Sequence, residues 1–290
     1  MDGLPSRGAA VRELGLALPP GRMRAWSARR PLKRWRYVGV YAPDLMLCVG
    51  DARIGPLPQR WWAVALPHGR LRERTTVGRG GVSVAGPPAA ASAAASPTRV
   101  RASAKDVTIE LELTESDGIE TASPVGGRGA YIWTRKQACL PVRGRVELDG
   151  AVHELDGPYG FVDDSAGYHA RHTAWRWSAG IGVLEDGRRV GWNLVAGIHD
   201  APQASERTLW IEGEPVELGA VAFADDLSSV RFADGAQLGF AEWSRREADA
   251  NALLIRSRYV QPFGAFAGTL PGGLRLAHGR GVMEEHDVRW

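Results

Sequence analysis

The residues best equipped for chemistry lie in Gly281-Val-Met-Glu-Glu-His-Asp-Val-Arg-Trp290. Read as a strand, this run puts Val282, Glu284, His286, Val288 and Trp290 on one face, because successive strand side chains alternate sides. If that face is the core, Glu284 and His286 are buried among apolar neighbours and must pair or shift their pKa. A carboxylate beside an imidazole can orient the ring and fix its tautomer, giving a general acid or base near neutral pH. The same pair can also be a polar tie that closes a barrel. A second concentration is Phe161-Val-Asp-Asp-Ser-Ala-Gly-Tyr-His-Ala-Arg-His-Thr-Ala-Trp-Arg-Trp177, where Asp163, Asp164, His169, Arg171 and His172 fall in a turn-rich stretch entering a strand. Such positions often carry function, although adjacent acids before Ser and Gly also cap turns or receive an arginine.

Other chemistries find little footing. His169 and His172 are spaced HxxH, but no third ligand is signalled nearby and a loop fixes no geometry, so no metal is expected. There is no Walker motif, no GxSxG elbow and no GxGxxG after a strand; Gly180-Ile-Gly182 sits inside a strand pattern. No cofactor is implied.

The elements that must position these residues are strands. Asp149-Gly150, Asp186-Gly187 and Asp234-Gly235 each separate apolar alternations, the short-range signal of a hairpin. With Asp186-Gly187 as a two-residue loop, Val183 pairs with Val190, Ile181 with Trp192, Ala179 with Leu194, Trp177 with Ala196 and Trp175 with Ile198, all apolar. The opposite face then pairs Gly182 with Gly191, Gly180 with Asn193, Ser178 with Val195 and Arg176 with Gly197. So thin a face suits close approach of a ligand or another strand, or else marks the bends that coil a barrel wall. At Asp234-Gly235 a three-residue loop including Ala236 matches Phe232 with Leu238 and Val230 with Phe240.

In the first half, Tyr37 to Tyr41, Leu45 to Val49 and Trp61 to Leu66 read as strands, separated by Ala42-Pro43-Asp44 and Gly50-Asp51 and closed by Leu66-Pro67-His68-Gly69. Val107 to Thr114 alternates with period two, Val107, Ile109, Leu111 and Leu113 on one side. Residues 86–106, rich in Ala, Ser and Pro, are expected to form a flexible surface loop. A short helix is expected around Arg245 to Leu254.

Composition sets the outer limits. The 290 residues are 44% hydrophobic and 24% charged, which fits a globular chain. No apolar stretch approaches the ~20 residues that span a bilayer. With Cys48 and Cys139 alone and no secretion signal, a cytoplasmic protein with two small buried thiols is expected. Eleven Trp suggest a β core or the aromatic walls of a ligand cavity. Residues Arg22 to Arg36 carry seven basic side chains, no acid, and Trp26 and Trp35. Such a run can grip phosphates and stack bases, but a solvated loop whose guanidinium groups pair with acids elsewhere is the commoner outcome, and nucleic-acid binding is the minor reading.

Asp164 to Trp177, Gly191-Trp-Asn-Leu194, Glu206-Arg-Thr-Leu-Trp210, Gln261-Pro-Phe-Gly264 and Gly281 to Trp290 resemble the bacterial family called domain of unknown function 2804. The segments WSARRPLKRWRYVGVY and LMLCVGDARIGP look like its N-terminal half. Where the family pattern has Asp-aromatic-Thr before a Gly, this chain has Asp164-Ser165-Ala166-Gly167 and lacks that hydroxyl. The closing strand is distantly similar to carotenoid-hydratase and tocopherol-cyclase type proteins, which implies tandem lipocalin-like β folds acting on polyenes and prenyl chains.

The expectation is therefore a mainly β, antiparallel protein of two lipocalin-like barrels or curved sheets with few short helices, residues 1–150 forming one half and 151–290 the other. It would bind an apolar, lipid- or isoprenoid-like small molecule in a Trp-lined cavity; if it is an enzyme, the chemistry expected is hydration, isomerisation or cyclisation by proton transfer. His286, Glu284 and Asp164 are the candidate catalytic groups, with Glu284 orienting His286. Arg176, Asn193, Arg171, His172, Tyr168, Trp175 and Trp177 are the candidate ligand contacts. A non-catalytic structural or interaction protein is the competing class.

Overall fold

The period-two alternation becomes two long antiparallel sheets in the computed structural model, which describes residues 3–78, 80–85, 97–126, 129–252 and 255–290. Along the first sheet the strands run Arg70–Val77, Leu57–Leu66, Met46–Ile54, Lys33–Tyr41, Ala151–Gly167, Tyr131–Leu148, Val107–Leu113, Thr98–Ala104 and Val82–Ala85. Along the second they run Glu214–Glu217, Thr208–Ile211, Arg189–Ala196, His172–Leu184, Leu274–Arg289, Ile255–Leu270, Gln237–Ala252, Ser229–Phe232 and Val221–Phe223. Both sheets curl towards closure. Val82–Ala85 returns against Met46–Ile54, and Val221–Phe223 against Arg189–Ala196.

The two sheets follow one path. In each, a first strand meanders outward through three hairpin partners, the chain crosses to the far edge, and it works back until the last strand pairs with the first. That junction is Lys33–Tyr41 with Ala151–Gly167 in one sheet and His172–Leu184 with Leu274–Arg289 in the other. An arginine faces an acid across both junctions: Arg36 opposite Asp164, and Arg176 opposite Glu285.

Alternation sorts the apolar residues into an inside for each sheet and a seam between them. Val38, Val40, Ile109, Leu111 and Val162 fill the first barrel; Trp192, Leu194, Phe266 and Met283 fill the second. Tyr37, Tyr41, Phe161, Trp177, Phe263 and Val282 form the seam, where the outer faces of both sheets meet. A fourth cluster packs Val11, Leu18 and Met23 of the N-terminal segment against Trp133, Tyr131 and Tyr168. Among the described residues no helix is long and apolar enough to cross a membrane.

Several expectations hold. Val107–Leu113 alternates buried and open positions, and Asp149-Gly150 turns the hairpin with both residues at positive φ, pairing Leu148 with Ala151. Others need correction. Gly50-Asp51 is not a turn but lies within Met46–Ile54, where the Trp61 indole covers the bare Gly50 backbone. Residues 86–96 of the expected loop lie outside the described residues, and Thr98–Ala104 is a strand paired with Val107–Leu113, its Val100 and Ala102 buried. The expected helix near Arg245 is part of the strand Gln237–Ala252, and Leu253-Leu254 lie outside the described residues. The basic run turns into a strand at Lys33 rather than staying a loop. Cys48 is buried but Cys139 only partly so. The chain passes from the first sheet to the second between Gly167 and His172, beyond the division expected near residue 150.

Both hairpin registers also differ from expectation. Leu184 donates its N–H to the Arg188 carbonyl, so Glu185-Asp186-Gly187 is a three-residue loop and the partners become Trp177 with Val195, Ala179 with Asn193 and Gly180 with Trp192. A one-residue slip exchanges faces, and it separates Arg176 from Asn193. Gly180 and Gly182 leave no ligand space, since a Cβ on Gly180 would sit 2.1 Å from the Trp192 ring and one on Gly182 2.5 Å from the His278 carbonyl. The second loop is Ala233-Asp234-Gly235, pairing Val230 with Leu238 and leaving Ala236 opposite Phe232.

Candidate functional site

Sequence alternation sends Glu284 and His286 to the same face as Val282, and that face is the seam. The central position of Leu274–Arg289 puts Trp177 directly opposite Glu284, and Trp175 and Tyr259 on either side of His286. Glu284 is buried, and both its oxygens are held. Trp175 Nε1 donates to Oε1 at 2.8 Å and Gln261 Nε2 to Oε2 at 2.9 Å. Burial pushes its pKa up to about 7, against the pull of the Trp175 and Tyr259 hydrogen bonds, which favour the ionised form. A carboxyl poised there exchanges protons at neutral pH.

His286 does not partner Glu284. Its Nε2 lies 2.8 Å from Ser257 Oγ, and its ring rests 4.5 Å from Trp175 and 5.1 Å from Tyr259, centroid to centroid. Burial lowers its pKa to about 4, so it is neutral at pH 7. The expectation that Glu284 orients His286 gives way to two neighbouring groups with separate partners.

A string of polar contacts carries the site across the seam. From Glu284 it runs through Gln261 to Cys48 Sγ at 3.7 Å, on to Arg246 Nη1 at 3.6 Å from the sulfur, and from Arg246 Nε to Glu73 at 2.7 Å. Glu73 and Cys48 belong to the first sheet; Arg246, Gln261 and Glu284 belong to the second. Beside it, the Trp177 ring stands edge-on to Tyr37 at 5.6 Å and Phe161 at 5.9 Å, and its Nε1 donates to Asn193 Oδ1 at 2.8 Å. Asn193 in turn donates to the Glu206 carbonyl. Next to these lies a buried charge cluster: Lys136 Nζ is 2.5 Å from Asp163 and 3.5 Å from Glu206. Burial raises the Asp163 pKa, with Lys136 opposing, and lowers that of nearby His199 to about 3.

The remaining expected residues lie elsewhere. Asp164 faces the inside of the first barrel, where Arg135 donates to it at 2.8 Å and Arg36 approaches at 3.4 Å. Arg36 and Arg135 also bind Glu115, which Thr98 and Gln137 hydrogen-bond in turn. Arg176 faces the inside of the second barrel and pairs with Glu285 and the exposed Asp225. Arg171 is exposed, and His172, also exposed, meets Asp287 at 2.8 Å. Tyr168 is buried and donates to the Arg24 carbonyl, anchoring the basic segment. His169 is buried against Trp35 and Trp290, away from His172, and the described residues hold no cluster of three metal-ligating side chains.

Sequence reasoning missed Tyr37, Cys48, Asp163 as a seam residue, Lys136, Glu206, Arg246, Tyr259 and Gln261. Parity marks Tyr259 and Gln261 as facing one side of their strand, but which strand lies beside them is not a local property. Asp163 was discernible: alternation forces it to the face opposite Asp164.

Two curled antiparallel sheets on one path, closed over a buried polar seam, define a tandem lipocalin-like β protein. Solved structures share this architecture. A candidate AttH protein from Nitrosomonas europaea is 15% identical with a TM-score of 0.56, covering 94% of this chain and 98% of its own. Kievitone hydratase from Nectria haematococca is 12% identical with a TM-score of 0.54, covering 87% of this chain and 88% of its own. At these identities the likeness is one of fold. No curated protein matches the sequence. Residues 61–290 match the family described as Domain of unknown function (DUF2804), and the chain belongs to that family; the N-terminal segments likened to it up to residue 60 precede the matched stretch.

Proposed function

We propose that the protein binds an apolar, isoprenoid-like small molecule at the seam and transfers a proton to it from Glu284. The observation that carries this reading is a buried carboxyl, held at both oxygens and poised near neutrality, within a wall of Trp175, Trp177, Tyr37 and Tyr259. In the protonated state Glu284 would deliver its proton to one carbon of a C=C bond. The cation left on the other carbon would face aromatic rings, which attract positive charge. Addition of water and return of its proton to the Glu284 carboxylate completes a hydration; loss of a different proton to that carboxylate gives an isomer; and attack by a second double bond closes a ring and moves the cation to a new carbon, which then loses a proton to Glu284 or takes up water. The fold shared with a protein named as a hydratase supports this class of chemistry. His286, neutral and held by Ser257, serves in this scheme as part of the wall, and the acid role expected of it passes to Glu284.

The test is direct. Native mass spectrometry of protein from its own host is expected to show a retained lipid, and incubation with an apolar lipid extract in D₂O is expected to yield deuterated or hydrated product. Glu284→Gln keeps the side chain's size and one acceptor for Trp175, while the Gln261 amide can turn its oxygen to the new NH₂, and it should lower turnover by about 10²–10⁴-fold with folding intact. The same two hydrogen bonds to the Glu284 oxygens serve equally a competing reading, a structural tie. That reading predicts neither ligand nor product from the native protein, and loss of folding in the variant.

A further inference from the structure

The first barrel opens at one end into a cavity of about 1410 Å³ that the seam chemistry does not use. Its walls come from the basic segment and from the strands Lys33–Tyr41 and Met46–Ile54. Six guanidinium groups line it, from Arg22, Arg24, Arg34, Arg36, Arg53 and Arg60, against two carboxylates, Asp51 and Asp164. Both acids are already engaged, Asp51 by Arg60 at 3.0 Å and Asp164 by Arg135 and Arg36. Arg22, Arg24, Arg34 and Arg53 make no ion pair among the described residues.

Three further observations point to something negative in this space. Register sets Arg34 directly opposite Arg53 across neighbouring strands, a like-charge pair that destabilises a sheet unless a counter-charge sits over it. Two of the residues that line the cavity, Arg36 and Trp133, each keep a buried N–H with no acceptor in the protein, a rarity in folded proteins that a small side-chain shift towards a bound anion would relieve. Trp26 lines the cavity while 62% exposed, leaving a large aromatic face beside the guanidinium groups. Met23 adds further apolar wall.

We propose that the mouth of the first barrel binds an amphipathic organic anion, with a phosphate or carboxylate headgroup on Arg34, Arg53 and Arg36 and an apolar body against Trp26 and Met23. Guanidinium groups grip such oxyanions with paired N–H donors. The cavity exceeds the usual range for small-molecule pockets, about 300–1,000 Å³, so a long or branched body fits. Arg36 and Asp164, tied to each other and to Arg135, form the part of its wall nearest the barrel core.

Calorimetry on the full chain with dodecyl phosphate, inorganic pyrophosphate, dodecyl maltoside and a ten-nucleotide oligothymidylate tests the site. Dodecyl phosphate is expected to bind one to one, pyrophosphate to bind more weakly and compete with it, and the neutral maltoside not to bind. Arg34→Glu and Arg53→Glu should each weaken dodecyl phosphate binding by about tenfold or more, and both positions are exposed enough for the fold to survive. Arg74→Glu, an exposed charge reversal outside the cavity, should change nothing, and Glu284→Gln should leave the affinity intact, which separates this site from the seam. The proposal fails if neither anion binds, if Arg74→Glu weakens binding as much as Arg34→Glu, or if oligothymidylate binds more tightly than dodecyl phosphate.

Discussion

The two barrels of this chain follow one path, each holds an apolar core, and each carries an arginine–acid pair at the same junction, yet the space around that pair differs. In the second it is filled: Trp192 lies over Gly180 and meets Phe266 at 5.0 Å, leaving Arg176 to reach outward to Asp225. In the first, Arg36 turns inward to a buried layer of Asp164, Arg135 and Glu115, above which the barrel is open and basic. Topology therefore sets where the junction pair stands. The bulk of neighbouring side chains decides whether the space around it is a core or a cavity.

The largest test of this contrast is Trp192→Ala, which should cost about 3–5 kcal/mol in chemical denaturation because the second barrel cannot refill the lost volume. Trp26→Ala at the mouth of the first barrel should fall within about 0.5 kcal/mol. Equal losses would erase the distinction between core and cavity.

Arg36→Met, which leaves the buried carboxylates of Asp164 and Glu115 to share Arg135 as their one remaining cation, should destabilise by about 3 kcal/mol. Glu115 is the more exposed to this loss: burial raises its pKa, but Arg36 first, then Thr98 and Gln137, bring it below the ordinary carboxylate value. The matching change in the second barrel, Arg176→Met, should cost about 1 kcal/mol or less, since one partner is fully exposed. Urea midpoints of the two variants measured side by side give the answer.

The seam between the barrels supplies a pH test. The folded-state pKa of Glu284, about 7, lies above its ordinary 4.5, so the folded protein holds a proton that the unfolded chain releases. Its contribution is full below pH 4.5 and is lost as pH rises through 7, an effect on the order of 3 kcal/mol. His286 and His199, with values lowered to about 4 and about 3, act in the opposite sense: the unfolded chain takes up their protons first, and stability falls as pH drops below 6.5. Melting curves of the wild type and Glu284→Gln should therefore converge or cross in favour of the variant between pH 4.5 and 7. Parallel curves would place Glu284 in contact with water.

Much of this was legible in the sequence wherever the information is local. Period two fixed the buried faces of Val107–Leu113 and of the strand carrying Glu284, and Asp149-Gly150 announced its turn. Errors arose where one residue decides a face. Three loop residues at Asp186-Gly187 instead of two moved Asn193 to the side of Trp177 and turned an apparent ligand wall into the bed of Trp192. The seam was hidden for another reason. Glu73 and Arg246 stand 173 positions apart, and nothing in either segment names the other. The shared path of the two sheets was equally invisible, because it is kept by pairing order and not by similar residues.

The position of Leu274–Arg289 in the middle of the second sheet has a consequence for how the molecule is made. The first sheet has all its strands once Gly167 has left the ribosome. The second waits for Arg289, and until then His172–Leu184 and Ile255–Leu270 both present open edges, the kind that pair with foreign strands. Folding of the second barrel is thus completed only by its last strand, through contacts remote in sequence that close slowly. Glu284 arrives with that strand, so the step that seals the barrel also completes the site.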